Sequence, residues 1–360
     1  MGRSQAKTRM RRSGGWRLAA LMCAALSWPA RADEVSKARV SDIAGSERLQ
    51  LFAYGKLLDT GTAARVDVLH MKDAMTAQGF YYDPGSNRVI AHQAWVSPVL
   101  SYDGNINGGV LRDSFAFRGL MFDTAPQFRA KAGVVGGLAA GGDLRLAWDN
   151  GKYLEARAAG EAVWSPGFQI GRVAGNLGLC SRNHISGWTF VDLCHTVGLL
   201  SRELGSSTVQ TTDLSVSRVF ARGGGYHEVT AQLARQAYDT GAQTALTLGW
   251  DAVWDQAATH LSLTYAEPIA GQTALRRRIA AGVQWPWRGR NAGISLWQQW
   301  SDGGAFLGSP RADRTTGIEV SSEIRPGLTT QFGYVISRST IDFFRYDQVS
   351  VTIRIDGLRW

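Results

Sequence analysis

From about Val89 to Trp360 the chain is a succession of short runs in which apolar and polar residues alternate, each run closed by turn residues. The run from Ala245 to Trp254 shows the pattern most clearly. Leu246, Leu248, Trp250, Ala252 and Trp254 share one parity, and Thr247, Gly249 and Asp251 share the other. A strand turns successive side chains to opposite faces, so this run has one oily face and one wet face. Fourteen such candidates can be marked, over residues 89–102, 127–148, 151–164, 167–180, 188–201, 209–222, 226–238, 243–255, 258–266, 277–286, 293–301, 314–325, 328–338 and 347–360. The second is long enough to hide a hairpin near Gly141-Gly142, which would raise the count to sixteen; twelve also remains open.

The connections test what kind of sheet this is. Back from Trp360 they alternate long and short: Ser337–Tyr346, then Arg325–Gly327; Ser301–Asp313, then Pro286–Ala292; Glu267–Arg276, then Asp255–Ala258. Transmembrane barrels of bacterial outer membranes have short turns on one side and longer loops on the other. The expected fold is therefore all-β, a closed antiparallel transmembrane β-barrel at residues 89–360. Closure follows because lipid offers no partner to an open edge's N–H and C=O groups. The lipid face is expected to carry Leu261, Leu263, Tyr265, Ile318, Val320, Phe332, Tyr334, Ile336, Val349, Val351, Ile353 and Ile355. Ser262, Thr264, Glu319, Ser321, Gln331, Thr352 and Arg354 should face a wet lumen.

The N-terminal part breaks the pattern. Arg3, Lys7, Arg9, Arg11, Arg12 and Arg17 precede an apolar stretch, Leu18–Leu26, and then Ala30-Arg31-Ala32. This reads as a signal peptide at residues 1–32 cut after Ala32, and its apolar core is too short to span a bilayer. A basic n-region is the ordinary reading of Arg11-Arg12, and Met22 before Cys23 argues against a lipidation site. Residues 33–88 read as a periplasmic or plug segment with a short amphipathic helix, Val66 to Gln78, closed by Gly79.

Composition alters the picture in two places. Of 39 Lys/Arg, the leader takes seven, leaving 32 against 30 Asp/Glu, a net of +2. No bulk charge remains to argue for nucleic acid as a partner. Many of the 13 tryptophans lie at strand ends, among them Trp95, Trp148, Trp164, Trp188, Trp254, Trp285, Trp287, Trp300 and Trp360, as aromatic girdles at two membrane interfaces require.

Two resemblances add to this. The segment from Val349 to Trp360 resembles the terminal strand of outer-membrane β-barrels, in which alternating apolar residues and a final aromatic are read by the barrel assembly machinery. Leu358 and Trp360 are the residues that would carry the signal. Their parity differs from that of Ile353 and Ile355, so Asp356-Gly357 must be a bulge or turn if all four face lipid. The stretch Ser97–Gly109, with the Gly-rich run Gly133–Gly136, resembles the opening of the barrel domain in surface lipoprotein assembly modifier proteins. That resemblance implies a fourteen-stranded barrel and a surface lipoprotein as partner. Such proteins carry a helical repeat domain before the barrel, for which residues 33–88 are too short.

Candidate chemistry is sparse. Cys180 and Cys194 flank a turn-rich stretch and read as a disulfide in an oxidising compartment. Asp103, Asn105 and Asn107 match the first half of a calcium loop, but its twelfth position is Ser114 and no helix flanks it; a strand-end turn is the plainer reading. Arg276, Arg277 and Arg278 stand where a loop meets a strand and suit either a solvated rim or the phosphates of lipopolysaccharide. His70, His92, His184, His195, His227 and His260 lie in no Gly-x-Ser-x-Gly elbow, so the expectation is no enzyme and no cofactor. The sequence thus points to an outer-membrane barrel, surrounded by outer-membrane lipid, acting as a passage or translocation scaffold for solutes or surface lipoproteins. A lipid hydrolase and a structural or adhesive surface protein are the alternatives.

Overall fold

The computed structural model describes residues 33–83, 85, 88–355 and 357–359. The leader, Asp356 and Trp360 lie outside the described residues. Among the described residues three helices come first: α1 (Glu34–Ser41), α2 (Glu47–Asp59) and α3 (Arg65–Ala77). Strand β1 (Arg88–Asp103) follows, then a small hairpin, β2 (Ser114–Phe117) and β3 (Leu120–Asp123). The barrel continues through β4 (Gly133–Asp149), β5 (Lys152–Ser165), β6 (Ile170–Ser186), β7 (Thr189–Arg202), β8 (Gly205–Arg222) and β9 (Gly225–Tyr238). It is completed by β10 (Gly241–Val253), β11 (Ala258–Ala266), β12 (Ala274–Trp287), β13 (Arg290–Phe306), β14 (Ser309–Arg325), β15 (Leu328–Ser339) and β16 (Tyr346–Ile355), with a short β17 (Leu358–Arg359).

Each barrel strand pairs antiparallel with its neighbours, and β1 pairs with β4 on one side and with β16 and β17 on the other. The barrel is closed and has fourteen long strands, β1 and β4–β16. No hairpin interrupts Gly141-Gly142; β4 runs through it, because the turn signals before Gly133 belong to the preceding loop. Among the described residues no helix is long and apolar enough to cross a membrane, so any crossing is made by strands.

The pleat sorts the side chains. Leu138 is 57 % exposed, Leu177 61 %, Leu233 54 % and Leu248 49 %, all on the outside of a closed sheet. Every position expected on the lipid face shares this outward parity, since Leu261 pairs with Ala281, Ile318 with Leu296 and Tyr334, and Val349 with Tyr334. An apolar exterior on a closed barrel spans a membrane, and a wide antiparallel barrel of even strand number belongs to the outer membrane.

One end has tight turns: Asn150-Gly151, Gly187-Trp188, Gly223-Gly224, Arg288-Gly289 and Pro326-Gly327. Gly223 (φ 59°) and Gly224 (φ 80°) both sit in the left-handed region, as a two-residue hairpin that follows the sheet's twist requires. The other end carries residues 104–132, 267–273 and 340–345 as longer loops. The stretch Ser301–Asp313 is not a loop, however. A register shift between Asp302 and Gly304 lets β13 run on to Phe306, and Leu307-Gly308 then turns the chain straight into β14. By the rule that periplasmic turns are short, the tight-turn end, where β1 begins and β16 ends, faces the periplasm.

The last strand contains the predicted irregularity. β16 pairs Val99 with Arg354, whereas β17 pairs Val96 with Leu358 and Trp95 with Arg359, a slip of one residue. That bulge restores parity, and Leu358 faces outward, 75 % exposed.

Candidate functional site

The helices lie at the periplasmic end, against the inner wall. Ser46 caps α2 by accepting from the Leu49 N–H, and the helix turns Leu49, Phe52 and Ala53 to one side. Val40 of α1 joins them, and this face packs on Phe190, Val219, Tyr226, Val253 and Ala258, apolar residues from β7 to β11. Phe52 meets Trp188 and Tyr226 edge to face, with ring centroids 4.8 and 5.1 Å away.

Beside this apolar patch the wall carries a chain of charges. Arg145 on β4 reaches Glu155 on β5 at 2.9 Å. Glu155, fully buried, also receives Arg157 at 2.6 Å and Arg182 of β6 at 3.1 Å. Arg182 continues to Asp192 of β7 at 2.9 Å. Two residues of α2 complete the chain. Glu47 takes both terminal nitrogens of Arg145, at 2.6 and 2.8 Å. Arg48 forks onto both oxygens of Asp192, at 2.6 and 2.7 Å, and lies 3.7 Å from Glu228 of β9, to which the Ser46 hydroxyl donates. A buried charge is tolerable only when paired, so Asp192 and Glu155 need these partners. Adjacent Glu47 and Arg48 thus dock the helix on a wall of matching signs.

The chain leaving α3 is tied down too. Arg145 donates to the Ala77 carbonyl, satisfying a free helix-end acceptor, and the Gly151 N–H donates to the Gly79 carbonyl. In α1, Lys37 is buried, lies 3.1 Å from Glu34 and 3.9 Å from Asp255, and sits over the Tyr226 ring. Burial pushes the Glu47 carboxyl up, but the Arg145 guanidinium outweighs it and holds the group below the usual carboxylate range. A lowered folded value means that the pairing stabilises docking above the carboxylate range and is lost as pH falls through the folded value. We therefore expect the helices to loosen in acid, read as an acid-induced rise in open-channel time that Glu47→Gln removes.

Above the helices the lumen opens into a cavity of about 760 Å³, lined among others by Gln93, Trp95, Glu161, Asn176, Ser207 and Arg354. Across the barrel, His260 faces Asp251 at 2.7 Å, and Arg278 lies over the lumenal ring of Trp297 at 4.8 Å. At the loop end, Arg172 bridges Asp103 and Glu161. The first loop dips inward there, placing Ile106, fully buried, among Val99, Val135, Val163 and Ile170.

The sequence candidates fall as follows. Cys180 and Cys194 are bonded to each other as direct cross-strand partners on the lumenal face of the β6–β7 hairpin. Asp103, Asn105 and Asn107 are engaged in building the loop. Asp103 accepts from the Asn105 N–H and pairs with Arg172, and Asn107 ties Gly109, Arg129 and Lys131 together. Among the described residues no group of His, Cys, Asp or Glu is arranged to hold a metal. Arg276, Arg277 and Arg278 do not act as one rim. Arg276 stands in a bulge between Leu275 and Arg277, where it binds the Ala266 carbonyl and Asp302; Arg277 has the outward parity of Ile279, and Arg278 points into the lumen. The helix seat itself, Glu47, Arg48, Arg145, Glu155, Asp192 and Glu228, was not among the sequence candidates. Its one local signal is a charge flanked by apolar residues on a strand, as in Leu144-Arg145-Leu146.

No family model matches this chain, and no curated protein matches it. Among solved structures it is similar to OccK1 (OpdK) of Pseudomonas aeruginosa, at 10 % identity and a TM-score of 0.40 over 75 % of this chain and 98 % of that one. OccAB2 of Acinetobacter baumannii aligns at 6 % identity and a TM-score of 0.43, over 75 % and 98 %. OprD of Pseudomonas aeruginosa aligns at 9 % and 0.40, over 77 % and 96 %. These likenesses are too distant to carry function; the barrel rests on its own strand ladder.

Proposed function

We propose that the protein is a gated passage for small polar solutes across the outer membrane, with α1–α3 as a plug at its periplasmic mouth. The observation that carries this reading is the way the helices are held. They join the wall through side-chain ion pairs and one apolar patch, not by adding a strand to the sheet, so they can leave without breaking the barrel. A wall with both signs of charge, and Arg354, which lines the cavity with no ion-pair partner among the described residues, suits charged or strongly polar solutes.

His260 pairs with Asp251 with no hydroxyl among its described contacts, and His70 meets the phenol of Tyr54; the histidine–aliphatic hydroxyl pair to consider for the hydrolase alternative is His195 Nδ1, 2.8 Å from the Thr212 hydroxyl on the lipid face. No carboxylate among the described contacts orients that ring, so the pair lacks the third member of a nucleophilic triad.

The test uses the full mature chain and a variant lacking residues 34–77, each refolded into planar bilayers and proteoliposomes. We expect low, flickering conductance from the first and a steady channel with faster uptake of small charged solutes from the second. If the deletion variant folds, shown by heat-modifiable migration, yet passes neither ions nor solutes, the passage reading is wrong.

A further inference from the structure

We propose that Arg277, Arg314 and Arg338, with Tyr265 and Trp300, form an outward-facing site for the phosphates of a phosphorylated glycolipid in the outer leaflet. The inference rests on the barrel's orientation in the membrane and not on what passes through it. Residue pairing places the five side chains in one continuous row. Tyr265 pairs with Arg277, Arg277 with Trp300, Trp300 with Arg314, and Arg314 with Arg338, across β11 to β15. The row has the outward parity of Ile279, Ile318 and Phe332 and lies at the long-loop end of those strands. Toward the periplasm the next rows hold Leu263 and Ile279, then Leu261, Leu296, Ile318 and Tyr334. The arginines therefore stand just above the hydrocarbon, at headgroup height.

Electrostatics favour an anion at this row. Like charges directly opposite on paired strands destabilise the sheet, and Arg314 and Arg338 are such a pair. Asp347 neutralises Arg338 at 2.9 Å. Among the described residues neither Arg277 nor Arg314 has an ion-pair partner; Arg277 lies over the Tyr265 ring at 5.9 Å. Cross-strand partners are about 5 Å apart, a span that one phosphate can bridge with two guanidinium forks. The outward residues at the same end of β1, β4 and β5 are Tyr102, Val134 and Trp164, and Arg235 of β9, which shares the outward parity of Leu233, is matched by Glu267 at 4.0 Å.

One row deeper, Gln298 donates to the Thr316 hydroxyl at 2.8 Å on the lipid-facing side. This polar pair lies where a glycolipid carries its ester and amide groups, and it can donate to them. Trp300, between two arginines, gives the sugar ring a flat face at the interface.

The test compares the refolded full-length barrel with the Arg277→Ala/Arg314→Ala/Arg338→Ala variant and with Arg288→Ala, a turn arginine at the periplasmic end. Binding is read by native mass spectrometry and by the shift in unfolding temperature. The probes are lipopolysaccharide, its dephosphorylated form, phosphatidylglycerol and inorganic phosphate. We expect the wild type and Arg288→Ala to retain lipopolysaccharide at least tenfold more strongly than the triple variant, and dephosphorylation to abolish the difference. Arg314→Gln alone should show a smaller loss and serves if the triple variant fails to fold. Equal retention by all variants overturns the site, and equal retention of phosphatidylglycerol overturns its assignment to a glycolipid. Conductance is unaffected in either case, which separates this site from the passage.

Discussion

Arg48→Ala is expected to hold the channel open. The substitution leaves Glu228 without its cation and takes from Asp192 the closer of its two guanidinium partners. Removing one member of a buried pair costs about 3–5 kcal/mol. Because Arg182 still faces Asp192 at 2.9 Å, the lower figure applies. About 3 kcal/mol lowers the ratio of docked to released helices roughly a hundredfold, at about 1.4 kcal/mol per tenfold. Single-channel recording reads this directly as open probability. Arg48→Lys should recover part of the effect, since an ammonium meets one carboxylate oxygen where the guanidinium meets two. Lys56→Ala, which removes an exposed pair with Asp59, is the control. If Arg48→Ala gates like Lys56→Ala, the charges do not hold the plug.

Gly357→Val should prevent proper closure of the barrel. A Cβ on Gly357 would stand 1.5 Å from the Val96 carbonyl oxygen and 2.7 Å from Cα of Ser97, both backbone atoms that cannot swing aside. Only glycine lets the bulge approach β1 this closely, and the bulge brings Leu358 to the lipid face. The variant must give up the β17 pairing with Trp95 and Val96, exposing edge groups beside lipid. The expected result is a severe fall in folded yield and loss of the compact, heat-modifiable band on gels. Gly167→Val, in the turn between β5 and β6 where a Cβ meets nothing within 4 Å, should be far milder. A Gly357→Val barrel that assembles as the wild type does would show that the seam tolerates a register without the bulge.

Parity made most of the barrel legible. Leu261, Leu263 and Tyr265 alternate with Ser262 and Thr264, and the pleat alone fixes which set meets lipid. Ser301–Asp313 misled because Gly303 and Gly304 look like loop residues, yet they absorb an extra residue inside a continuing strand. The helix α2 had a readable start, Ser46 before Glu47, with apolar residues at Leu49, Phe52, Ala53 and Leu57. Its signal was hidden in a segment too short and too mixed to suggest three helices. The plug seat was not legible at all. Arg48 and Asp192 are 144 residues apart, and Glu47 and Arg145 are 98 apart, so only the closed sheet brings them together. The arginine row was half visible: Arg277 stood in a suggestive triplet, but its true companions lie on β14 and β15.

The two mouths are narrowed by different elements. At the periplasmic end the helices are pinned by Glu47, Arg48 and Lys37 and precede β1; at the outer end the first loop is seated by Ile106, by Phe115, Phe306 and Phe343, and by ion pairs of Asp103 with Arg172, Arg112 with Asp342 and Lys131 with Glu203, and it is tethered to the sheet at both ends by β1 and β4. A transmembrane voltage pulls on the charges at both mouths, but a loop fixed at both ends yields less than helices joined to the sheet at one. The protein is therefore an asymmetric electrical element, and a single inserted copy should pass current more readily under one polarity than the other.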